Sequence, residues 1–279
     1  MLLRDKSAVI TGGGRGIGKA IAAAYLKEGA RVLIVARSKS ELQDTTKELS
    51  RISPRINSLK ADVSSSADAK LVGDEARKLF HNVDILVNAA GIYGPIGPSA
   101  EVDLEDWKKT YDINVFGTFS MIQEFLPSMI EIKKGKIINF SGGGDGPLPR
   151  FSAYSSSKAA VVRLTETLAA ECLDYNVDIN AIAPGAVNTK ILEEALAAGE
   201  ERVGRERYAA LLKQKEEGGV PPEKAAELCV FLASSLSDGL SGKLISAIWD
   251  DWKSWDKSKI NEIMESDIYT LRRVTKGKP

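Results

Sequence analysis

The stretch SAVITGGGRGIG (residues 7–18) reads as a strand, a glycine turn and the first turn of a helix. Ser7 to Thr11 is a short β-branched and apolar run, and from Ile17 to Glu28 apolar residues recur at helical spacing. Between them Gly12, Gly16 and Gly18 are spaced G-x3-G-x-G. Glycine lets the backbone turn tightly with no Cβ in the way, and a helix that starts there offers free N–H groups and a partial positive charge. A turn so placed suits a pyrophosphate, so it is expected to hold a dinucleotide. The plainer alternative is a glycine-rich turn with no ligand.

Working outward, similar runs recur at 31–36, 56–61, 84–89, 136–141, 177–183 and 243–248, with helical stretches such as Glu41 to Ile52 and Ala67 to Phe80 between them. The strands are apolar throughout rather than alternating, as when helices cover both faces of a parallel sheet. The expected fold class is a doubly wound α/β sheet of about seven strands in one domain over 1–279. Two segments depart from the alternation. Residues 188–218 form a charged helical insertion, and residues 249–279 form a Trp-rich extension. Trp249, Trp252 and Trp255 recur every three residues and are expected to pack on the body or a neighbouring subunit, with a lid or ring-stacking wall as the rival.

Composition removes several chemistries. Lysine plus arginine balances aspartate plus glutamate at 38 each, which argues against a nucleic-acid surface. The lone histidine, His81, sits where a helix ends before a strand, and with only Cys172 and Cys229 no zinc site is expected. Both cysteines lie in apolar helical patterns and are expected as buried free thiols in a reducing compartment. The N-terminal residues do not read as a signal peptide and no run approaches a membrane span, so a cytoplasmic protein without membrane contact is expected. A serine hydrolase is excluded, because His81 is the sole candidate base and no G-x-S-x-G elbow occurs.

The end of the second strand bears on the choice of nucleotide. In VLIVARSKS (32–40) the position where an acid would hold a ribose 2′-hydroxyl is followed by Arg37 instead. A guanidinium suits a 2′-phosphate, and Arg15 in the glycine turn offers a second cation. NADP is therefore expected, with NAD the alternative. In FSAYSSSKAA (151–160), Tyr154 and Lys158 fall four apart and share a helix face. A lysine cation close to a partly desolvated phenol is expected to lower its pKa. Ser155, Ser156 and Ser157 are expected on the helix surface.

Taken together, these motifs resemble the short-chain dehydrogenase/reductase family, whose fold is of the Rossmann type. TGGGRGIG (11–18) matches its cofactor turn, which implies contacts from Gly12, Arg15, Gly16, Ile17 and Gly18. ADV (61–63) matches its adenine-side turn, through Asp62 and Val63, and NAAG (88–91) its fourth strand end, through Asn88, Ala89 and Gly91. PGAVNT (184–189) matches a segment placing Pro184, Gly185, Val187 and Thr189 at the nicotinamide. The resemblance implies a catalytic set of Asn114, Ser141, Tyr154 and Lys158, with Tyr154 and Lys158 also touching the cofactor. Plainer readings stay open for Asn114, as satisfying a helix break, and for Ser141, as a strand-end hydroxyl.

The activity implied is hydride transfer between NADP(H) and a small-molecule carbonyl or alcohol, in a homodimer or homotetramer. The alternatives are a silent cofactor-binding regulator and an epimerase or dehydratase using the same pair. Residues 190–218 sit where the family has its substrate loop, and Leu192, Leu196, Tyr208 and Leu211 are expected near a pocket. The chain lacks the family's frequent Asp-Gly-Gly after the last strand, leaving its C-terminal contacts open.

Overall fold

The protein is described here by a computed structural model covering residues 1–142 and 146–272. The part of the Trp-rich extension at 273–279 lies outside the described residues. In chain order the elements are β1 (Ser7–Thr11), α1 (Gly16–Lys27), β2 (Arg31–Ala36), α2 (Lys39–Leu49), β3 (Ile56–Lys60), α3 (Ser66–Phe80) and β4 (Ile85–Asn88). There follow α4 (Leu104–Tyr111), α5 (Gly117–Glu131), β5 (Gly135–Phe140), α6 (Ser152–Glu171) and β6 (Val177–Ala183). The last are α7 (Lys190–Val203), α8 (Arg205–Glu216), α9 (Pro222–Ala233), β7 (Leu244–Ser246) and α10 (Lys257–Met264).

The seven strands form one parallel sheet in the order β3-β2-β1-β4-β5-β6-β7. The chain builds outward from β1 to β3, then returns to β4 on the other side of β1. A crevice opens where the order reverses, at the carboxyl ends of the strands. Register fixes what meets there: Thr11 pairs with both Val35 and Asn88, so the turns after β1, β2 and β4 share one rim.

Both faces of the sheet are buried. On one, Ile21 and Tyr25 of α1 and Leu228 and Phe231 of α9 pack on Ala8, Ile10 and Ile34; on the other, Val72 of α3, Phe125 of α5 and Leu168 of α6 pack on Val9, Leu33 and Ile137. This accounts for the apolar strands. Cys172 and Cys229 are buried free thiols, as expected. Among the described residues no helix is long and apolar enough to cross a membrane.

The last strand is shorter than the run 243–248. The Asp250 carboxylate accepts a hydrogen bond from the Ser246 amide at 2.6 Å, and Ser246 Oγ accepts from Ile248 and Trp249. These bonds turn the chain away after three residues. The tryptophans that follow do not share a helical face. Trp252 opens a single 3₁₀ turn, Trp255 is extended, and both are buried against Phe231, with ring centroids 5.6 and 6.4 Å away. Trp249 is 85% exposed. Beyond α10 the tail runs beside β7: the Leu244 amide donates to Tyr269 O at 2.8 Å and Lys243 Nζ to Ser266 O at 2.7 Å.

Candidate functional site

The helices that follow β2, β3 and β4 start differently from the one that follows β1. The Ser38, Ser65 and Asp103 side chains cap α2, α3 and α4, whereas Arg15 makes no side-chain cap on α1. The first-turn N–H groups of α1 therefore face the glycine turn without a protein partner from that cap. The turn is shaped for close approach. Gly12 and Gly16 have φ of 67° and 52°, and a Cβ on Gly18 would collide with the Gly12 carbonyl oxygen.

Around this turn lies a cavity of about 490 Å³ lined by Gly12, Arg15, Gly16, Ile17 and Gly18 from the first turn. Arg37 follows β2, Asp62 and Val63 follow β3, and Ala89 and Gly91 follow β4 on the same wall. A second cavity of about 580 Å³ is lined by Tyr154, Pro184, Gly185 and Val187. The two share Ile17, Thr189 and Ile191 and so adjoin as the two halves of one channel-like groove along the strand ends. Its first half has a glycine cradle, free N–H groups and two guanidinium side chains, which fit the phosphates and ribose of a dinucleotide. Asn88 lines neither cavity: it is buried at the end of β4, with Nδ2 donating to Asn139 Oδ1 at 2.9 Å.

Sequence reasoning missed Glu41, which sits in the same cavity and binds Arg15 Nη1 at 2.7 Å. Among the described residues Arg37 and Lys190, which also lines this cavity, have no ion-pair partner, and Arg37 is the unpaired guanidinium at the β2 end.

The chemical end is built from α6, β5 and one π-helical turn, Asp112–Phe116, which carries Asn114. Asn114 Oδ1 accepts from the Ile92 amide, and its Nδ2 donates to Ile92 O and Ser157 Oγ, each at 3.0 Å. It thereby ties the loop after β4 to α6. Ser157, expected on the helix surface, is fully buried by this bond, while Ser155 and Ser156 are half-buried. Ser141 follows β5, its amide donating to Ile182 O at 2.9 Å, and the next residue, Gly142, lies so close to Tyr154 that a Cβ there would collide with the phenol oxygen.

Tyr154 and Lys158 share a helix face, yet they do not couple as expected. Lys158 Nζ donates to Phe140 O at 3.0 Å and sits 5.9 Å from the centroid of the Tyr154 ring. Burial pushes the lysine down to about 8, and burial likewise drives the Tyr154 phenol well above its ordinary value. Desolvation disfavours whichever form is charged, and it is the largest influence on both groups. Tyr93 adds a further upward push, and the cation that pulls the phenol downward, by less, is Arg207 of α8.

Tyr93 and Arg207 were not read from the sequence as site residues. Tyr93 packs edge-on against both Phe151 and Tyr154, with centroids 5.1 and 4.5 Å away. The one available hint was an aromatic residue two positions past the NAAG segment. The helical insertion closes over this cluster: Leu192 and Leu211 are buried with Phe151, and Leu196 and Tyr208 pack beside Tyr154. Of the four expected there, Leu192 lines the cavity itself.

Comparison with known proteins agrees with this construction. A family model for short chain dehydrogenases matches residues 6–199. The chain is 35% identical over 243 residues to 3beta-hydroxysteroid dehydrogenase 1 of Eggerthella lenta, covering 86% of this chain and 91% of that protein. It is 32% identical over 244 residues to an NAD-dependent glycerol dehydrogenase of Listeria innocua serovar 6a, again covering 86% and 91%. A solved structure of a variant actinorhodin polyketide ketoreductase with NADPH superposes with a TM-score of 0.80 at 26% identity, covering 90% of this chain and 98% of the other. Parallel sheet, glycine turn and matched residues lead to one assignment: the chain belongs to the short-chain dehydrogenase family, nicotinamide-dependent oxidoreductases acting on CH–OH groups.

Proposed function

We propose that the protein is an NADP(H)-dependent oxidoreductase that interconverts a carbonyl and a secondary alcohol, with Tyr154 as proton donor in reduction and acceptor in oxidation. The observation that carries this reading is the channel-like groove joining the α1 glycine cradle to the Tyr154 phenol through Ile17, Thr189 and Ile191.

The cofactor, when bound, supplies the hydride. Arg37, without an ion-pair partner among the described residues, supports NADP over NAD by offering a guanidinium to a 2′-phosphate. Tyr154 lines the cavity and gives its proton to the substrate oxygen. Its raised pKa keeps it protonated, and therefore a donor, at neutral pH. As the proton leaves, Lys158 offers a positive charge from the same helix face, 5.9 Å from the ring centroid. Asn114 holds the loop carrying Gly91 against α6, and Gly91 has no Cβ to intrude near Lys158 Nζ. Ser141 is assigned the second hydrogen bond to the reacting oxygen. The helical insertion is read as the substrate-facing part of a single domain. Buried unpaired thiols support a reducing, cytoplasmic setting; a homodimer or homotetramer is carried over from the family resemblance alone.

The test follows NADPH oxidation with a panel of ketones and aldehydes. Turnover that falls by about 10²-fold or more in Tyr154→Phe, with NADPH binding retained, supports the assignment. Tight NADPH binding with no turnover across the panel would replace it with the regulator reading.

A further inference from the structure

The α7–α8 insertion carries Arg202, Arg205 and Arg207. Arg202 Nε donates to Ile96 O at 2.9 Å and its Nη1 lies 3.5 Å from Glu101; Arg205 pairs with Glu200 at 3.0 Å. Both are accounted for as struts of the fold. Arg207 has no ion-pair partner among the described residues, and it lines the cavity that holds Tyr93 and Tyr154. It also sits in the first turn of α8, where the helix dipole disfavours a cation. The exposed Arg207 side chain hydrogen-bonds Tyr93, a neutral phenol, which leaves its positive charge without a counter-charge among the described residues at the unfavourable end of a helix. The first half of the channel has its own cations, Arg15 and Arg37, so the cofactor phosphates do not require this one.

The surroundings suit an anionic ligand with a short apolar body. Leu148 and Leu192 line the same cavity. Among the described residues one carboxylate lines its wall, Asp250, which accepts from the Ser246 amide on the far segment, after β7. Arginine is suited to planar anions because its fork donates two parallel hydrogen bonds.

We propose that the substrate of this site carries an anionic group, a carboxylate or a phosphate ester, which Arg207 binds while the carbonyl of the same molecule meets Tyr154. The substrate class is thus keto acids or keto phosphates and the matching hydroxy compounds. The inference rests on the oxidoreductase reading above. In reduction the carbonyl carbon gains a hydride from the reduced nicotinamide and its oxygen gains the Tyr154 proton, leaving the alcohol, the oxidised cofactor, an unchanged anionic group and a Tyr154 phenolate that regains its proton from solvent.

The test uses matched pairs. With NADPH, wild type and Arg207→Gln are compared on 2-oxobutanoate, 3-oxobutanoate, 4-oxopentanoate and 5-oxohexanoate against their methyl esters, and on dihydroxyacetone phosphate against dihydroxyacetone. At least one anion is expected to exceed its neutral partner in kcat/KM by about tenfold or more, mainly through KM. Arg207→Gln is expected to bring each anion and its neutral partner to similar kcat/KM, whatever change both share through Tyr154; Arg207→Lys restores part of the difference. Which pair responds separates carboxylate from phosphate. In parallel, the melting temperature of the NADP⁺-loaded protein is read with each anion, and it is expected to rise in wild type and not in Arg207→Gln. Neutral and anionic partners reduced equally well, or a preference that survives Arg207→Gln, would overturn the proposal while leaving the oxidoreductase reading intact. Arg207-dependent binding of an anion without reduction of any carbonyl would keep the anion site and remove the oxidoreductase reading.

Discussion

Among the described residues Lys158 gives its hydrogen bond to the carbonyl of Phe140, the last residue of β5, and not to the hydroxyl of Tyr154 one helical turn away. The ammonium is 5% exposed, so it lies close to fully desolvated beside one carbonyl and a phenol ring. Below about pH 8 the lysine is charged both folded and unfolded, and its burial costs stability. Between about 8 and the ordinary 10.5 the unfolded chain keeps the proton while the folded protein has released it, so this residue's contribution to stability improves as pH rises. Lys158→Met is expected to abolish activity yet raise the unfolding free energy at pH 7 by about 1–2 kcal/mol. Its advantage over wild type should shrink between pH 8 and 10.5. Urea unfolding at several pH values reads this, and a variant less stable than wild type at pH 7 would show that the buried charge is not a burden.

The nucleotide end carries a charge contest. Arg15 is held by Glu41 at 2.7 Å inside the cavity, and Arg37 is exposed on its wall. Arg37→Ala is expected to weaken NADPH by about tenfold or more and NADH little. Glu41→Gln should tighten NADPH, since it removes a negative charge and frees Arg15. Fluorescence titration of wild type and both variants with both cofactors gives the six affinities; equal losses for NADPH and NADH in Arg37→Ala would show that Arg37 does not read the 2′-phosphate.

Three tryptophans within seven residues should behave differently. Trp252 and Trp255 are 5% and 7% exposed against Phe231, so either alanine variant is expected to lose about 3–5 kcal/mol. Trp249→Ala should stay within about 0.5 kcal/mol of wild type. Trp249 lines the cavity of Tyr154, so its emission should also change when NADP⁺ and substrate bind. Denaturation midpoints and emission spectra of the three variants decide both points.

The glycine turn tolerates no methyl group at Gly18. A Cβ there would meet the Gly12 carbonyl, and with it the backbone that shapes the cradle. Gly18→Ala is therefore expected to weaken NADPH and NADH alike, which distinguishes it from Arg37→Ala in the same titration.

The strands, the first turn and the shared face of Tyr154 and Lys158 were legible because each depends on local spacing. The wall formed by Arg15, Arg37, Asp62 and Gly91 was legible too, since strand ends in a parallel sheet come together on one rim. What could not be read depends on how helices settle on one another. Ser157 looks like its two neighbours in sequence and is buried only because the π-helical turn aims Asn114 at it. Arg207 looks like Arg202 and Arg205 until α8 lies over Tyr93. The every-third spacing of the tryptophans suggested one helical face, but the turn closed by Asp250 sends Trp249 outward and the other two inward. The pull of Lys158 on Tyr154 was overestimated, because a charge count along a helix contains no measure of how dry the site is.

The segment that follows β7 has a bearing on how this sheet can meet others. Leu244 and Lys243 spend their donors on Tyr269, Ser266 and Ile268, and Arg163 of α6 reaches Leu271 at 2.6 Å, so the chain stitches its own hem over the final strand. A neighbouring copy cannot extend the sheet across that border unless it first unpicks these bonds. Self-association through strand addition, ordered or aggregating, is thus steered away from this side of the molecule.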